Sequence, residues 1–212
     1  MTSTGVRPPA ARRRPADRYD ERRDELAESA LTTLGQLGYA RTSLREIAQN
    51  SPFTHGVVHY YFRDKVDLIT YCVRYYKARC VQRYDDIVAT SSSADEVRTR
   101  FAGKLAETLV DEAPMHRLWY DLRNQSLFEE SFRADVLEID QRREDMIWRV
   151  VSRYAVLCDL TPAVSPPVAY ATFDGLFQQC LLRLLAGHER AAEDLEANVC
   201  GELDRAMNRP DG

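Results

Sequence analysis

The run Thr54–Lys65, THGVVHYYFRDK, gathers hydroxyl, imidazole and phenol groups around a single glycine. At helical spacing it carries Val57, Val58 and Tyr61 inward and His55, Val57, His59 and Tyr60 toward the other side. Small or hydrogen-bonding residues facing outward near a helix N-terminus are what readout of a DNA major groove requires. Thr54 is a good N-cap whose hydroxyl would also face a phosphate, and Gly56 has no side chain to hold a helix off the duplex. No nucleophile–base pair, metal-ligand cluster or phosphate-binding loop appears anywhere in the chain, and its paired carboxylates fall on solvated helix faces. The chemistry on offer is recognition rather than catalysis, with no cofactor and no metal.

Positioning such a helix takes neighbours of a definite kind. Leu44, Ile47 and Ala48 lie on one face of a short helix that Ser43 and Glu46 open as a capping box, with Thr42 the other candidate cap. Asn50, Ser51 and Pro52 make the turn, so the pair reads as a helix-turn-helix. A leading helix is expected from an N-cap at Asp17, with acids Asp20 and Glu21 in its first turn. It carries Leu26, Ala27, Ala30, Leu31 and Leu34 inward, and Gly35 and Gly38 punctuate its end. Asp64 and Asp67 open a longer helix predicted to run to about Thr90 on the stripe Val66, Ile69, Val73, Tyr76, Val81, Tyr84 and Val88.

The stretch from Gly38 to Leu68 resembles the DNA-binding domain of the TetR (tetracycline-repressor) family of bacterial transcription regulators. The likeness rests on the leading helix, the Gly38-Tyr39 corner, Thr42, Ile47-Ala48, Thr54, Gly56, the Tyr61-Phe62 pair, Lys65 and Leu68. Carried over residue by residue, it implies DNA contacts at Thr42, Ser43, Thr54, His55, Gly56, Val57, His59, Tyr60 and Lys65. Thr42, Thr54, His59 and Lys65 would hold phosphates, while His55, Gly56, Val57 and Tyr60 would meet base edges. Tyr61 and Phe62 are expected in the core. Two positions depart from the family's habit. Pro52 stands where a glycine is usual, and a proline ring forbids positive φ and pushes Ser51 out of the helical region. His55 stands where a lysine is common, which exchanges a fixed charge for a titratable one.

Charge follows the same division. Residues 1–65 hold 11 Lys/Arg against 8 Asp/Glu and the remainder 18 against 25, a slightly basic head on an acidic body. DNA contact confined to one end fits that distribution. The Pro-, Ala- and Arg-rich arm of residues 1–16, with Arg7, Arg12, Arg13 and Arg14, reads as disordered and available to phosphates or the adjacent minor groove. Its arginines are followed by no apolar core, so it is not a secretory signal, and no run approaches the roughly 20 apolar residues of a membrane span. The expectation is a cytoplasmic protein with no membrane contact. Five cysteines are scattered without a C-x-x-C pair, which reads as buried packing rather than redox or metal chemistry.

Beyond Thr90 the signals remain helical. Ser93 with Glu96, Pro114, and Ser126 with Glu129 each open a run, the last reaching about Cys158. Ser165 with Pro166 opens a densely apolar helix, Val168 to Ala186, which Gly187 stops. A more polar helix follows from Glu189 to Met207, and no period-two run argues for a sheet. The fold class is all-α, about nine helices: a three-helix helix-turn-helix head over residues 17–63 and a larger ligand-binding and dimerisation body over 64–212.

The resemblance implies a homodimer formed by the last two helices, through Gly175, Gln179, Leu182, Arg183, Leu195, Val199 and Leu203. It also implies a cavity in the body. Tyr71, Tyr75, Trp119, Tyr120, Phe128, Trp148, Phe173 and Phe177 lie on the helices that would surround it, and His116, Arg123, Asn124 and Gln178 offer polar contacts. Such a lining suits an apolar or aromatic small-molecule effector. The function implied is a repressor bound as a dimer to a palindromic double-stranded DNA operator and released by effector. Alternatives are an activator of the same fold, or a helical ligand-binding or interaction protein without DNA binding, toward which only Pro52 leans.

Overall fold

Leu26, Ala27, Ala30, Leu31 and Leu34 are almost wholly buried along one side of the first helix, α1 (Pro15–Leu37), as their spacing predicts. The computed structural model describes residues 15–77 and 83–208; the arm of residues 1–14, and Val81 and Cys80, lie outside them. Asp17 falls inside α1 rather than capping it. The helix runs through Gly35 and stops at Leu37, and Gly38 turns the chain at φ +80°. A Cβ on Gly35 would sit 3.4 Å from the Pro114 carbonyl oxygen, so this glycine sets how closely α1 meets a later helix.

The short helices α2 (Leu44–Gln49) and α3 (His55–Tyr61) follow with the expected caps. Ser43 Oγ accepts the Glu46 N–H while the Glu46 carboxylate accepts the Ser43 N–H. Thr54 Oγ1 accepts the Val57 N–H at 3.3 Å. Among the described residues, positive φ occurs only at Gly38, Asp159 and Gly187, so the turn carrying Pro52 closes without it. The Ser51 hydroxyl does part of the work, donating to the Ala48 carbonyl and accepting the Phe53 N–H at 3.2 Å. Phe53 and Phe62 are buried, and Tyr61 packs on Tyr19.

The single helix expected from Asp64 to Thr90 is instead two: α4 (Lys65–Lys77) and α5 (Asp85–Thr90). Asp64 caps α4 through the Asp67 N–H. Tyr84 leaves helical geometry at φ −110°, ψ 4° and buries its ring edge-on against Phe101 at 5.0 Å. Burying one large side chain is worth about 1.5–3 kcal/mol, and beside it Arg83 pairs with Glu112, so both residues of the turn are tied elsewhere in the fold.

Helices α6 (Ala94–Asp111), α8 (Arg133–Cys158), α9 (Pro166–Leu185) and α10 (Ala191–Arg205) pack side by side, with α7 (Ala113–Gln125) lying between α1 and α9. Ser93 caps α6 as expected, but the Glu96 carboxylate reaches Ser92 rather than Ser93. The cap expected of Ser126 and Glu129 is also different. Ser126 Oγ donates back to the Arg123 carbonyl, Glu129 caps a 3₁₀ turn (Glu130–Phe132), and α8 starts after the fully buried Phe132. Ser165 precedes α9 without a side-chain bond, and the prolines at the first two helical positions carry no N–H that would need a partner. One element is absent from the sequence reading: Thr161–Pro162 (β1) pairs antiparallel with Met207–Asn208 (β2), two residues each. The described residues thus form ten α-helices with this one short ladder.

Candidate nucleic-acid interface and cavity

Helix α3 leaves His55, Gly56, His59 and Tyr60 exposed and Val57 half-buried. The imidazoles of His55 and His59, one turn apart, meet with their Nε2 atoms at 3.1 Å. Tyr60 is 73% exposed and braced edge-on by Tyr61 at 5.0 Å. A Cβ at Gly56 would meet nothing within 4 Å, so the protein's own packing does not demand glycine there. The open space lies on the solvent side. Arg45, Gln49, Phe53, Thr54 and His55 together line a shallow surface depression, which adds Arg45 and Gln49 to the face. Their spacing of four on the outer side of α2 was the available signal.

Two expected phosphate contacts are otherwise engaged. Thr42 is buried, and its Oγ1 donates to the Gly38 carbonyl at 2.7 Å. Lys65 stacks its ammonium over the Tyr39 ring at 3.9 Å and donates to the Tyr39 carbonyl. Burial there pulls the Lys65 pKa down, against the opposing charges of Asp121 and Glu46. Both residues fasten the Gly38-Tyr39 corner rather than face outward. Ser43 is exposed, but its hydroxyl serves the α2 cap.

The same corner is gripped from the body. Arg117 of α7 donates to the carbonyls of Gly35 and of Gln36, the latter at 2.8 Å, and Asp121 accepts the Tyr39 N–H. Immediately before Arg117 on α7, His116 faces a cavity with Arg83, Tyr84, Leu105, Arg143, Met146, Ile147, Tyr170, Phe173, Asp174 and Phe177. The space it encloses is small, about 40 Å³, before it opens to solvent. His116 is buried with its ring edge-on to Phe177 at 4.5 Å, and neither ring nitrogen has a hydrogen-bond partner. Burial, then the charges of Arg143 and Arg83, depress its pKa to about 3, and the nearby Thr108 carbonyl opposes them only weakly. The imidazole is therefore neutral, with one N–H to give and one lone pair to accept. Beside it, Asp174 accepts Tyr120 Oη at 2.9 Å and pairs with Arg123, and Tyr170 Oη donates to Asp140 at 2.7 Å.

Of the expected lining, His116, Phe173 and Phe177 border this cavity, and Tyr120 and Arg123 border it through Asp174. The others do not. Trp119 is buried in a separate narrow crevice with Leu31 and Val73, its indole under the Arg143 guanidinium. Tyr71 donates to Asp24 at 2.6 Å and, with Tyr75, lines a groove between α4 and α1. Phe128 is 87% exposed in the turn after α7. Trp148 is out of phase with Arg143, Met146 and Ile147, which α8 turns inward, and Gln178 and Asn124 are exposed. Arg83, Tyr84, Leu105, Arg143, Met146, Ile147, Tyr170 and Asp174 were missed, since a cavity wall is set by helix phase and crossing rather than by residue type.

On α9, Val168, Ala171, Gly175, Gln178, Gln179, Leu182 and Leu185 are exposed at spacings of three and four, a face with little charge; Leu182 is 69% exposed. Arg183 is half-buried and reaches toward Asp194. Leu195, Val199 and Leu203 are 0% exposed, so their expected place at a dimer face is corrected: α10 turns them onto α6 and α9 of its own chain.

Residues 26–72 match the family model described as bacterial regulatory proteins, tetR family. An HTH-type transcriptional regulator BetI of Burkholderia thailandensis is 27% identical over 158 residues, 73% of this chain and 75% of its own. An HTH-type transcriptional repressor KstR2 of Mycobacterium tuberculosis is 25% identical over 154 residues, 60% of this chain and 76% of its own. In overall fold the chain is similar to a putative transcriptional regulator from Saccharomonospora viridis in complex with choline, with TM-score 0.74, 14% identity, and 90% and 100% of the two chains covered.

Proposed function

We propose that this chain, a transcriptional regulator belonging to the tetR family of bacterial regulatory proteins, is a cytoplasmic repressor that binds a palindromic operator as a homodimer and is released by a small-molecule effector. In this reading residues 17–63 read DNA, with His55, Gly56, Val57 and Tyr60 toward base edges in the major groove and Thr54, His59 and Arg45 toward phosphates. Residues 64–212 hold the effector and pair two copies through the exposed face of α9. A single head spans few base pairs, so two half-sites about one helical turn apart are needed for useful affinity. The relative named a repressor supports the sign of regulation, and the structural neighbour holding choline supports a small-molecule site in the body.

The observation that carries the reading is helix α7. Its His116 walls the cavity while Arg117 and Asp121 hold the corner on which α2 and α3 are built. A ligand that shifts α7 therefore alters the seat of the recognition helix. Coupling of this kind is reciprocal: effector and operator weaken each other's binding by one factor. The test is fluorescence anisotropy on the protein's own upstream DNA beside a scrambled duplex at several salt concentrations. Specific binding in the roughly nanomolar range, falling steeply with salt, is expected. Double replacement Arg117→Ala, Asp121→Ala should leave ligand binding intact and reduce the coupling factor toward one. Equal weak binding to both duplexes, or unequal factors in titrations done both ways, would overturn the reading.

A further inference from the structure

The charged groups of the cavity are unequally engaged. Among the described residues of the lining the only carboxylate, Asp174, has both oxygens engaged, one by Tyr120 Oη at 2.9 Å and one by the Arg123 guanidinium. The same lining carries Arg83, Arg143 and His116, with both imidazole nitrogens buried and lacking a partner. Arg83 pairs with Glu112 and Arg143 lies over the Trp119 ring at 5.0 Å, so neither guanidinium is loose. Both nevertheless face the lining, and their charges reach the His116 ring with no acid among the influences on it. The apolar part of the wall is Leu105, Met146, Ile147, Phe173 and Phe177.

A buried donor and acceptor without partners are costly and call for an explanation. A ligand atom that accepts from the imidazole N–H supplies one. Placed there, a cation would be held against two guanidiniums with no unspent carboxylate to receive it. An anion would gain charge-assisted hydrogen bonds. We propose that the cavity takes an organic carboxylate on an apolar or aromatic body, its head among Arg83, His116 and Arg143, and that it discriminates against alkylammonium ligands. This deepens the effector reading and rests on that cavity being the ligand site.

The test uses full-length protein and aryl and alkyl bodies of matched size, each carrying a carboxylate, a carboxamide or a trimethylammonium head. Calorimetry is expected to rank carboxylates tightest. Arg143→Gln should weaken them by about tenfold or more, the worth of a charge-assisted bond, while hardly moving the amides. Arg143→Lys should recover part of the loss, and circular dichroism would confirm that both variants fold. Trimethylammonium ligands binding as well as carboxylates, carboxylates indifferent to Arg143→Gln, or no carboxylate binding at all would each overturn the proposal. Operator release measured on the same samples separates the two readings. Ammonium ligands that release DNA would leave the effector role standing and remove the ligand class. Carboxylates bound through Arg143 without effect on DNA would do the reverse.

Discussion

His116 should make the stability of this protein depend on pH in a way that one substitution removes. In the fold its pKa is about 3; in the unfolded chain an imidazole titrates near 6.5. The unfolded state therefore binds the proton more strongly, so stability falls as pH drops below about 6.5 and the loss levels off near the folded value. Above about 6.5 both states are neutral at this site and it contributes no pH dependence. Each pH unit inside the window costs about 1.4 kcal/mol, so roughly 2 kcal/mol is lost by pH 5 from this residue alone. His116→Leu, of similar volume, removes the titration and two unpartnered buried nitrogens. At pH 7.5 it should be close to neutral in stability, because no hydrogen bond is lost. The assay is urea unfolding of both proteins at pH 7.5 and pH 5, at one protein concentration so that any association equilibrium is held fixed. The difference between the two proteins should widen by roughly 2 kcal/mol at the lower pH in favour of the variant. An equal loss in both proteins would show that His116 stays protonatable in the fold, and the account of its burial would fail.

Gly56→Ala should raise the melting temperature, by up to about 1 kcal/mol of helix propensity, since its Cβ meets nothing. Gly56→Leu should fold equally well yet lose operator affinity in the anisotropy assay. Pro52→Gly should destabilise the head by about 0.4–1 kcal/mol in urea, because the turn uses no positive φ that glycine would serve and the unfolded chain gains freedom. Leu182→Glu should yield a folded monomer in sedimentation velocity, whereas Leu203→Glu, at a site with no exposure, should yield an unfolded protein by circular dichroism.

Local signals carried much of the fold. The Ser43–Glu46 box, the Thr54 cap and the Asp64 cap are bonds between residues three apart, so the sequence displays both partners. Apolar ladders on α1 and α6 were legible for the same reason. The break between α4 and α5 was not, because the ring that causes it is buried by Phe101, which lies 17 residues further on. Tertiary partners also explain the site's surprises. Lys65 and Thr42 look like phosphate contacts until the Tyr39 and Gly38 carbonyls come into view. Leu195, Val199 and Leu203 looked like a dimer seam because α10 has one apolar stripe, and that stripe has only one place to go. The cavity wall drew on four helices and the linker before α5, an assembly no single helical pattern contains.

The grip on the recognition unit has a bearing on how such proteins diversify. Arg117 and Asp121 bond to the peptide groups of Gly35, Gln36 and Tyr39, not to their side chains. A clasp on main-chain atoms is indifferent to what the helices beyond it spell. On the proposed function, residues along α3 could then be rewritten for a new operator while transmission from the body is left in place. Transplanting residues 43–61 from a relative of different operator preference should accordingly give a hybrid that answers to this protein's effector at the other protein's DNA.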